Sequence, residues 1–425
     1  MKKIVYKNYL LGVLLLLFAF NSVDRLALGL VLQDIKADLH LTDTQLGLLT
    51  GIAFALFYAI VGIPIARWAD RGNRVTIIAV TAAVWSVMVV LCGAAGNFVQ
   101  LLLIRAAVGV GEAGCVPPAH SLIADYFDRG ERPKAIAVYM MGGSLSLLIG
   151  YFLAGWLNQF YGWRAMFVLL GLPGLVLAVL AWRSLREPRL DKADAPDGIA
   201  ASPAPQPSLR EVWLTLWANA TFRHLLFCFS AVFFFGYGIL QWQPTFFIRS
   251  YGLKTGELGT WFAAVNGVSG LIGTYAGGAL ASRYAVNNER LQLRVIALLF
   301  SSFGAIYALV YLSPDRYMAF ALMGIATLGA AAANGPIFGA IQSLVPERMR
   351  AITIAIIYLF SNLIGMGLGP LAAGALSDAL RPWAGDESLR YALLALCPGY
   401  LWGGWHLWRA SRTVNRDMEA VQTAR

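Results

Sequence analysis

Twelve segments of 18 or more predominantly apolar residues constrain the fold of this chain more than any other feature. An α-helix rises ~1.5 Å per residue, so each segment can cross the ~30 Å hydrocarbon core of a bilayer. The 425 residues are 58% hydrophobic and 13% charged, whereas soluble domains carry about 25% charged residues. The sequence therefore predicts an all-α, multi-pass membrane protein. The predicted spans are residues 9–32, 46–68, 75–95, 99–124, 135–160, 165–185, 224–248, 258–282, 295–312, 317–345, 352–376 and 389–408.

The positive charges indicate how the chain is oriented. Most of the 33 lysines and arginines fall in alternate loops, on the side that also holds both termini. Because cytoplasmic loops are enriched in Lys and Arg, both termini are predicted to be cytoplasmic, in a protein of the cell inner membrane. The net charge of +10 is thus an orientation signal. Membrane lipids are the expected surroundings, and no nucleic-acid partner is predicted.

A charged segment with five prolines, residues 186–213, interrupts the apolar pattern and predicts a cytoplasmic linker between two halves. The halves resemble each other, since residues 47–71 align without gaps on residues 259–283, and ERPKAIAV at Glu131 matches ERMRAITI at Glu347. A parallel repeat of six-helix halves is the architecture of major facilitator transporters. The predicted domains are a six-helix bundle at 1–185, the linker at 186–223, a second six-helix bundle at 224–408 and a cytoplasmic tail at 409–425.

The loop after the second span, ARWADRGNR, resembles the major facilitator signature Gly-x-Leu-Ala-Asp-Arg-x-Gly-Arg. Asp70, Arg71 and Arg74 occupy its charged positions, while Ala66 stands at the first glycine. By this resemblance the three residues are predicted to form a conformational latch. Asp70 is expected to meet the N-terminus of the eleventh span near Thr353, where the helix dipole favours a carboxylate.

Four ionisable residues fall deep within the first and fourth spans: Asp24, Arg25, Arg105 and Glu112. A charge at mid-membrane costs from ~3 to more than 10 kcal/mol, so such residues mark functional sites. Arg105 and Glu112 are seven positions apart and share one helix face, where Ala106, Gly109 and Gly111 allow close helix packing. Two prolines, Pro117 and Pro118, are expected to bend the fourth span.

Asp24 and Glu112 are predicted to be the protonatable pair, with Arg105 and Arg25 as counter-ions or anchors for an anionic substrate. Arg25 points about 100° away from Asp24 on an ideal helix and is expected to face a different helix or to extend toward the membrane surface. The alternative is a static ion pair that holds the two spans together. The second half has Gly236 and Tyr237 at the positions that match Asp24 and Arg25, which places the coupling chemistry in the first half.

Further polar and aromatic residues in the spans are cavity candidates, with interhelical hydrogen bonding or lipid contact as the alternatives. They are His120, Tyr58, Phe54, Gln241, Trp242, Asn266, Asn334 and Asn362. The four cysteines fall in predicted helices and form neither a disulfide frame nor a metal-ligand spacing, so no metal and no cofactor are predicted. No Walker loop or nucleophile constellation is visible, and the chain is not expected to be an enzyme.

The motifs NSVDRLAL, RAAVGVGEAGCVPPAHSLIADYF and ERPKAIAVYMMGGSLSLLIGYFLAG, with the loop above, resemble the Spinster family of major facilitator proteins. This resemblance covers residues 21–167 and implies a monomeric, proton-coupled, alternating-access transporter of a lysolipid or sphingoid phosphate. The same intramembrane charges also fit a proton-coupled organic-anion symporter. Drug export is a further alternative, followed by a non-transporting membrane sensor.

Overall fold

The structure, a computed structural model, describes residues 2–128, 130–189, 209–284, 288–345 and 349–423. Within these ranges the side chains of some helical residues, including Asp70, Arg71 and Asn334, are not described. The described part of the chain is helical throughout and contains no strand. The helices are α1 Lys2–Leu30, α2 Leu32–Leu39, α3 Asp43–Thr50, α4 Ile52–Arg71, α5 Arg74–Cys92, α6 Phe98–Glu112, α7 Val116–Tyr126, α8 Arg132–Ser184, α9 Leu209–Ala218, α10 Ala220–Tyr251, α11 Thr255–Tyr284, α12 Glu289–Leu312, α13 Arg316–Ser343, α14 Arg350–Phe360, α15 Gly367–Ala384, α16 Ser388–Leu396 and α17 Gly399–Thr423.

These helices account for the twelve predicted spans. Nine helical stretches among the described residues are long and apolar enough to cross a membrane. Two of them are long enough to hold two crossings each, namely Lys134–Ser184 with 51 residues and Ile352–Glu419 with 68 residues. The 30-residue helix α11 covers the remaining predicted span, the eighth.

Several spans are broken where the sequence contains glycine or proline. The fourth span ends as α6 at Glu112 and restarts as α7 at Val116, with Pro117 and Pro118 in the first turn of the new helix. Proline is tolerated there because the first amides of a helix have no intrahelical acceptor. Gly162 in α8 has φ 78°, a left-handed conformation that glycine adopts without a steric penalty, and it marks the turn between the fifth and sixth spans.

The chain forms two compact units. The first contains Met1–Ala200 and also Gln243–Ala263, while the second contains Ala201–Trp242 and Ala264–Arg425. The end of α10 and the beginning of α11 thus belong to the first unit, while the rest of both helices belongs to the second. In the first unit α8 packs along both α1 and α5, and in the second unit α12 packs along α13 and α17.

Candidate transport site

The structure brings the four intramembrane charges of the first unit together. Nη1 of Arg105 donates to Oδ2 of Asp24 at 2.5 Å, which joins α6 to α1. Both side chains are buried, with exposed fractions of 1% for Arg105 and 2% for Asp24. The predicted pairing of the first and fourth spans through Asp24 and Arg105 is thus present as a direct, charge-assisted hydrogen bond.

Arg25 reaches the second carboxylate. Its Nε lies 3.3 Å from Oε2 of Glu112, and its Nη2 donates to Oγ of Ser22 at 3.0 Å. Arg25 therefore contacts α6, as Asp24 does, and its guanidinium also lies beside the Phe54 ring of α4. The long, flexible arginine side chain can curve round the helix in a way that ideal Cβ geometry does not anticipate.

The carboxyl groups of Asp24 and Glu112 also lie close enough to interact with each other. Glu112 is completely buried, and neither of its carboxylate oxygens accepts a hydrogen bond from the described part of the chain. Oδ1 of Asp24 is in the same situation. Buried carboxylate oxygens that accept no hydrogen bond are costly, which is unusual for a purely structural contact.

The ring of Phe54 lies between the two cations. The guanidinium of Arg25 is 5.1 Å from its centroid and that of Arg105 is 5.7 Å away, both within the range of cation–π attraction. Gly109 makes this packing possible, because a Cβ there would lie 2.7 Å from the Phe54 carbonyl oxygen. Phe54, predicted only as a cavity residue, is thus a direct neighbour of two of the four charges.

A second polar group lies nearby on α7 and α8. His120 stands edge-on to Tyr139 at 5.3 Å between ring centroids. The Tyr139 hydroxyl is buried and makes no hydrogen bond to the described residues. Tyr58 stacks on Phe54 at 5.5 Å. The sequence around Tyr139 gives no signal of this role, because a buried tyrosine in an apolar run has the same sequence pattern as a tyrosine that faces lipid.

The remaining cavity candidates belong to the second unit. Trp242 is fully buried and donates from Nε1 to the Pro370 carbonyl oxygen at 2.9 Å. Asn266 accepts a hydrogen bond from Thr327 at 3.1 Å. Gln241 is buried, and Asn362 lies in a short π-helix, Ser361–Met366. The side chain of Asn334 lies outside the described residues. Among the described side chains of this group, the hydrogen bonds of Trp242 and Asn266 go to different partners, Pro370 and Thr327.

Of the predicted latch residues, only Arg74 has a described side chain. It is fully buried and forms an ion pair with Glu187, besides donating to Oδ2 of Asp125 at 2.6 Å and to Oγ of Ser121 at 2.9 Å. Burial alone would raise the pKa of Glu187, but hydrogen bonds from the side chain and backbone of Arg74 outweigh it and hold that pKa below its usual value. Arg74 thus ties the end of α8 to α5 and α7.

Comparison with known proteins agrees with this architecture. The sequence profile of the Major Facilitator Superfamily matches residues 14–401. The chain belongs to the major facilitator superfamily. It is 31% identical to a solved bacterial homolog of the human lysosomal transporter Spinster, in an inward-facing and unoccupied conformation, with a TM-score of 0.84 over 97% of this chain and 98% of that one. The predicted Spinster-like fold is confirmed.

Two relatives show the functional range of similar sequences. An MFS-type efflux pump of Mycolicibacterium smegmatis is 31% identical over 96% of this chain and 93% of its own length. A probable L-galactonate transporter of Escherichia coli is 25% identical over 90% of this chain and 85% of its own length. The fold and family are those of transporters rather than enzymes.

Proposed function

We propose that this protein is a proton-coupled secondary transporter of an anionic, lipid-like amphipath, such as a lysolipid or a sphingoid phosphate, and that it works by alternating access. One observation carries the proposal. Two carboxyl groups and two guanidinium groups are clustered in the interior of one membrane-embedded unit, where isolated charges are costly and functional charges concentrate.

The net charge of this cluster provides the coupling. With both carboxyl groups ionised, Asp24 and Glu112 balance Arg25 and Arg105. One added proton leaves the cluster with a charge of +1, which favours the binding of an anion in a medium of low dielectric constant. By linkage the bound anion favours the proton to the same extent, so proton and substrate binding support each other.

Exposure distinguishes the roles of the two arginines. The side chain of Arg105 is 1% exposed and firmly paired with Asp24, which suits a fixed counter-ion. The side chain of Arg25 is 27% exposed and contacts Glu112 at 3.3 Å. When Glu112 takes up a proton, its attraction for Arg25 is lost, and Arg25 becomes available to the substrate anion. Glu112 and Arg25 are therefore the proposed switching pair.

The proposed substrate class rests on the chemistry around Arg25 and on the resemblance to Spinster proteins. A guanidinium binds phosphate or carboxylate oxygens through two parallel hydrogen bonds. Next to Arg25, the half-buried ring of Tyr58, which stacks on the buried ring of Phe54, offers apolar surface to the rest of an amphipathic molecule. A charged head beside apolar surface is the arrangement that a lysolipid or sphingoid phosphate needs.

Uptake into proteoliposomes tests the proposal. Purified protein should accumulate a labelled lysophospholipid or sphingoid phosphate when a pH gradient is imposed, and collapsing the gradient should stop accumulation. Asp24→Asn and Glu112→Gln should each abolish gradient-driven accumulation. Asp38→Asn is the matched control, because Asp38 is 45% exposed and pairs with Arg164 away from the cluster. Normal rate and pH dependence in both cluster variants would refute proton coupling.

Two alternatives can be tested in the same liposomes. The similarity to a probable L-galactonate transporter favours a symporter of small organic anions, and accumulation of a sugar acid without lysolipid transport would support it. The similarity to an efflux pump favours drug export, which would appear as pH-driven movement of lipophilic drugs. A non-transporting sensor would accumulate none of these compounds.

The proposal also covers the orientation, the membrane, the oligomeric state and the inner latch of the protein. Both termini face the cytoplasm, the protein lies in the inner membrane, and it acts as a monomer. Asp70, Arg71 and Arg74 form the inner latch with the N-terminus of α14 near Thr353. Asp70→Ala should then make reporter cysteines on the cytoplasmic side more accessible to a membrane-impermeant maleimide, and unchanged accessibility would count against the latch.

A further inference from the structure

The segment Gln243–Ala263 passes from the end of α10 to the beginning of α11 and packs with the first unit, although the helices on both sides of it continue into the second unit. On the predicted topology its turn lies on the outer face of the membrane. It contacts the rest of the first unit through close backbone packing of Gly155 and Gly259, through the rings of Tyr151 and Phe262, and through a set of polar groups. A cleft of about 400 Å³ runs beside the polar groups, lined by residues such as Asp34 and Thr255.

Asp43 is the charged centre of these contacts. It begins α3, where Thr42 and Gln45 form a capping box, and it is 1% exposed. Nη1 and Nη2 of Arg249 donate to its two carboxylate oxygens at 2.9 and 2.8 Å. Nζ of Lys36, which belongs to the first unit's own helix α2, donates to Oδ1 of Asp43 at 2.5 Å. The buried carboxylate of Asp43 thus binds one cation from α2 and one from the segment Gln243–Ala263.

A second group of contacts repeats this arrangement. Nδ2 of Asn158 donates both to Asp34 at 2.6 Å and to Thr255 of the segment at 3.2 Å. The backbone N–H of Gly256 donates to Oε1 of Gln159 at 2.9 Å. The bond from Asn158 to Thr255 can therefore break while Asn158 keeps Asp34 as a partner.

Lys36 and Arg249, the two cations bound to Asp43, behave differently when the segment moves away. Removing one partner of a buried ion pair is costly because the other charge is left uncompensated. Lys36 avoids this cost, because it stays beside Asp43 when Arg249 leaves with the segment. Arg249 can therefore separate from Asp43 while the Asp43 carboxylate remains paired with Lys36.

We propose that Asp43, Lys36 and Arg249 form a releasable outer latch, in which Asp43 binds both cations when the outer face is closed and keeps Lys36 when it opens. This inference rests on the alternating-access motion proposed above, but it requires neither proton coupling nor a particular substrate. It assigns opposite effects to the two cations: Arg249 stabilises the closed outer face and Lys36 stabilises the open one.

Hydrogen exchange at the Gly256 amide measures the opening directly, because this N–H is bonded to Gln159 only while the segment is docked. Exchange reports even rare openings through their equilibrium population. In the full-length protein in lipid nanodiscs, Arg249→Met should raise the exchange rate of the peptide spanning residues 252–260 by about tenfold, and Lys36→Met should lower it by a similar factor. Asp38→Asn, which affects an exposed ion pair on the same face, should leave the rate unchanged.

A spin-label pair at Ala37 and Lys254, both exposed, provides a second measurement of the same movement. The fraction of long distances should rise in Arg249→Met and fall in Lys36→Met. In an Asp43→Asn background, Lys36→Met should have no effect on exchange. Equal effects of the two cation variants, in either direction or at zero, would overturn the latch. Since neither readout involves substrate or protons, a protein that fails the uptake assay can still pass this test.

Discussion

The two units use polar residues differently in their interiors. In the first, four ionisable side chains from α1 and α6 contact one another. In the second, the positions that match Asp24 and Arg25 are Gly236 and Tyr237, and a Cβ at Gly236 would lie 3.3 Å from the Tyr400 hydroxyl. Trp242 of the second unit makes a neutral hydrogen bond to the Pro370 carbonyl oxygen. The second unit buries ionisable groups at other positions, since His406 contacts His224 and Asp417 accepts hydrogen bonds from Thr221. The two units therefore differ at the matched positions, where the first has paired charges and the second has a glycine and a tyrosine.

The difference has a structural counterpart in the second unit. Its matching region uses close backbone packing instead of charge, since a Cβ at Gly369 would lie 2.3 Å from the Phe234 carbonyl oxygen. A π-helix, Ser361–Met366, interrupts the helix just before this contact. π-Helical turns are frequent at functional sites and alter local helix geometry. The matched regions of the two units therefore differ both in charge and in local helix geometry.

The largest effect is expected from removing the fixed cation. Arg105→Gln leaves the Asp24 carboxylate buried without its partner, which should lower the free energy of unfolding by about 3–5 kcal/mol and abolish transport. The double variant Asp24→Asn, Arg105→Gln should recover most of the stability without recovering transport. Tyr237→Phe, at the matched position of the second unit, should change stability by less than about 0.5 kcal/mol. Thermal unfolding in detergent measures all three, and equal effects at Arg105 and Tyr237 would contradict the comparison.

A smaller effect is expected at the buried ion pair of Arg74 and Glu187 in the first unit. Glu187→Gln weakens the ion pair with Arg74 and should lower the free energy of unfolding at pH 7 by about 1–3 kcal/mol. Because the pKa of Glu187 is lower in the folded protein, its contribution is present above the pKa of the unfolded chain, about 4.3, and is lost as the pH falls through the folded value. The difference between parent and variant should therefore shrink below about pH 4.

Unfolding curves recorded from pH 7 downward provide this measurement. A difference that grows on acidification, or one that does not depend on pH, would show that the carboxylate charge of Glu187 contributes nothing to the pair with Arg74.

The smallest effect is expected at the ring between the two arginines. Phe54→Leu should lower stability through the lost packing, and in addition through cation–π attraction worth about 0.5–2 kcal/mol. Phe303→Leu is the matched control in the second unit. Phe303 is 2% exposed and contacts the rings of Phe300 and Tyr400. Equal losses in the two variants would mean that Phe54 acts only by packing.

The sequence predicted the parts of this structure that depend on local pattern. Apolar segments identified the spans, and the seven-residue spacing of Arg105 and Glu112 placed both on the face toward α1. Pairing across long sequence distances could not be read in the same way. Arg74 and Glu187 are 113 residues apart and Asp43 and Arg249 are 206 apart, and nothing in either local sequence specifies the partner. The contact of Arg25 with Glu112 depends on side-chain rotamers, which periodicity does not determine.

Proton uptake during substrate binding tests the central claim most directly. Calorimetric titration of an anionic lysolipid in buffers of different ionisation enthalpy gives the number of protons bound with each ligand. The cluster of Asp24, Arg25, Arg105 and Glu112 predicts uptake of about one proton in the parent protein and none in Glu112→Gln. Binding without proton uptake in the parent, or the same uptake in Glu112→Gln, would contradict the account.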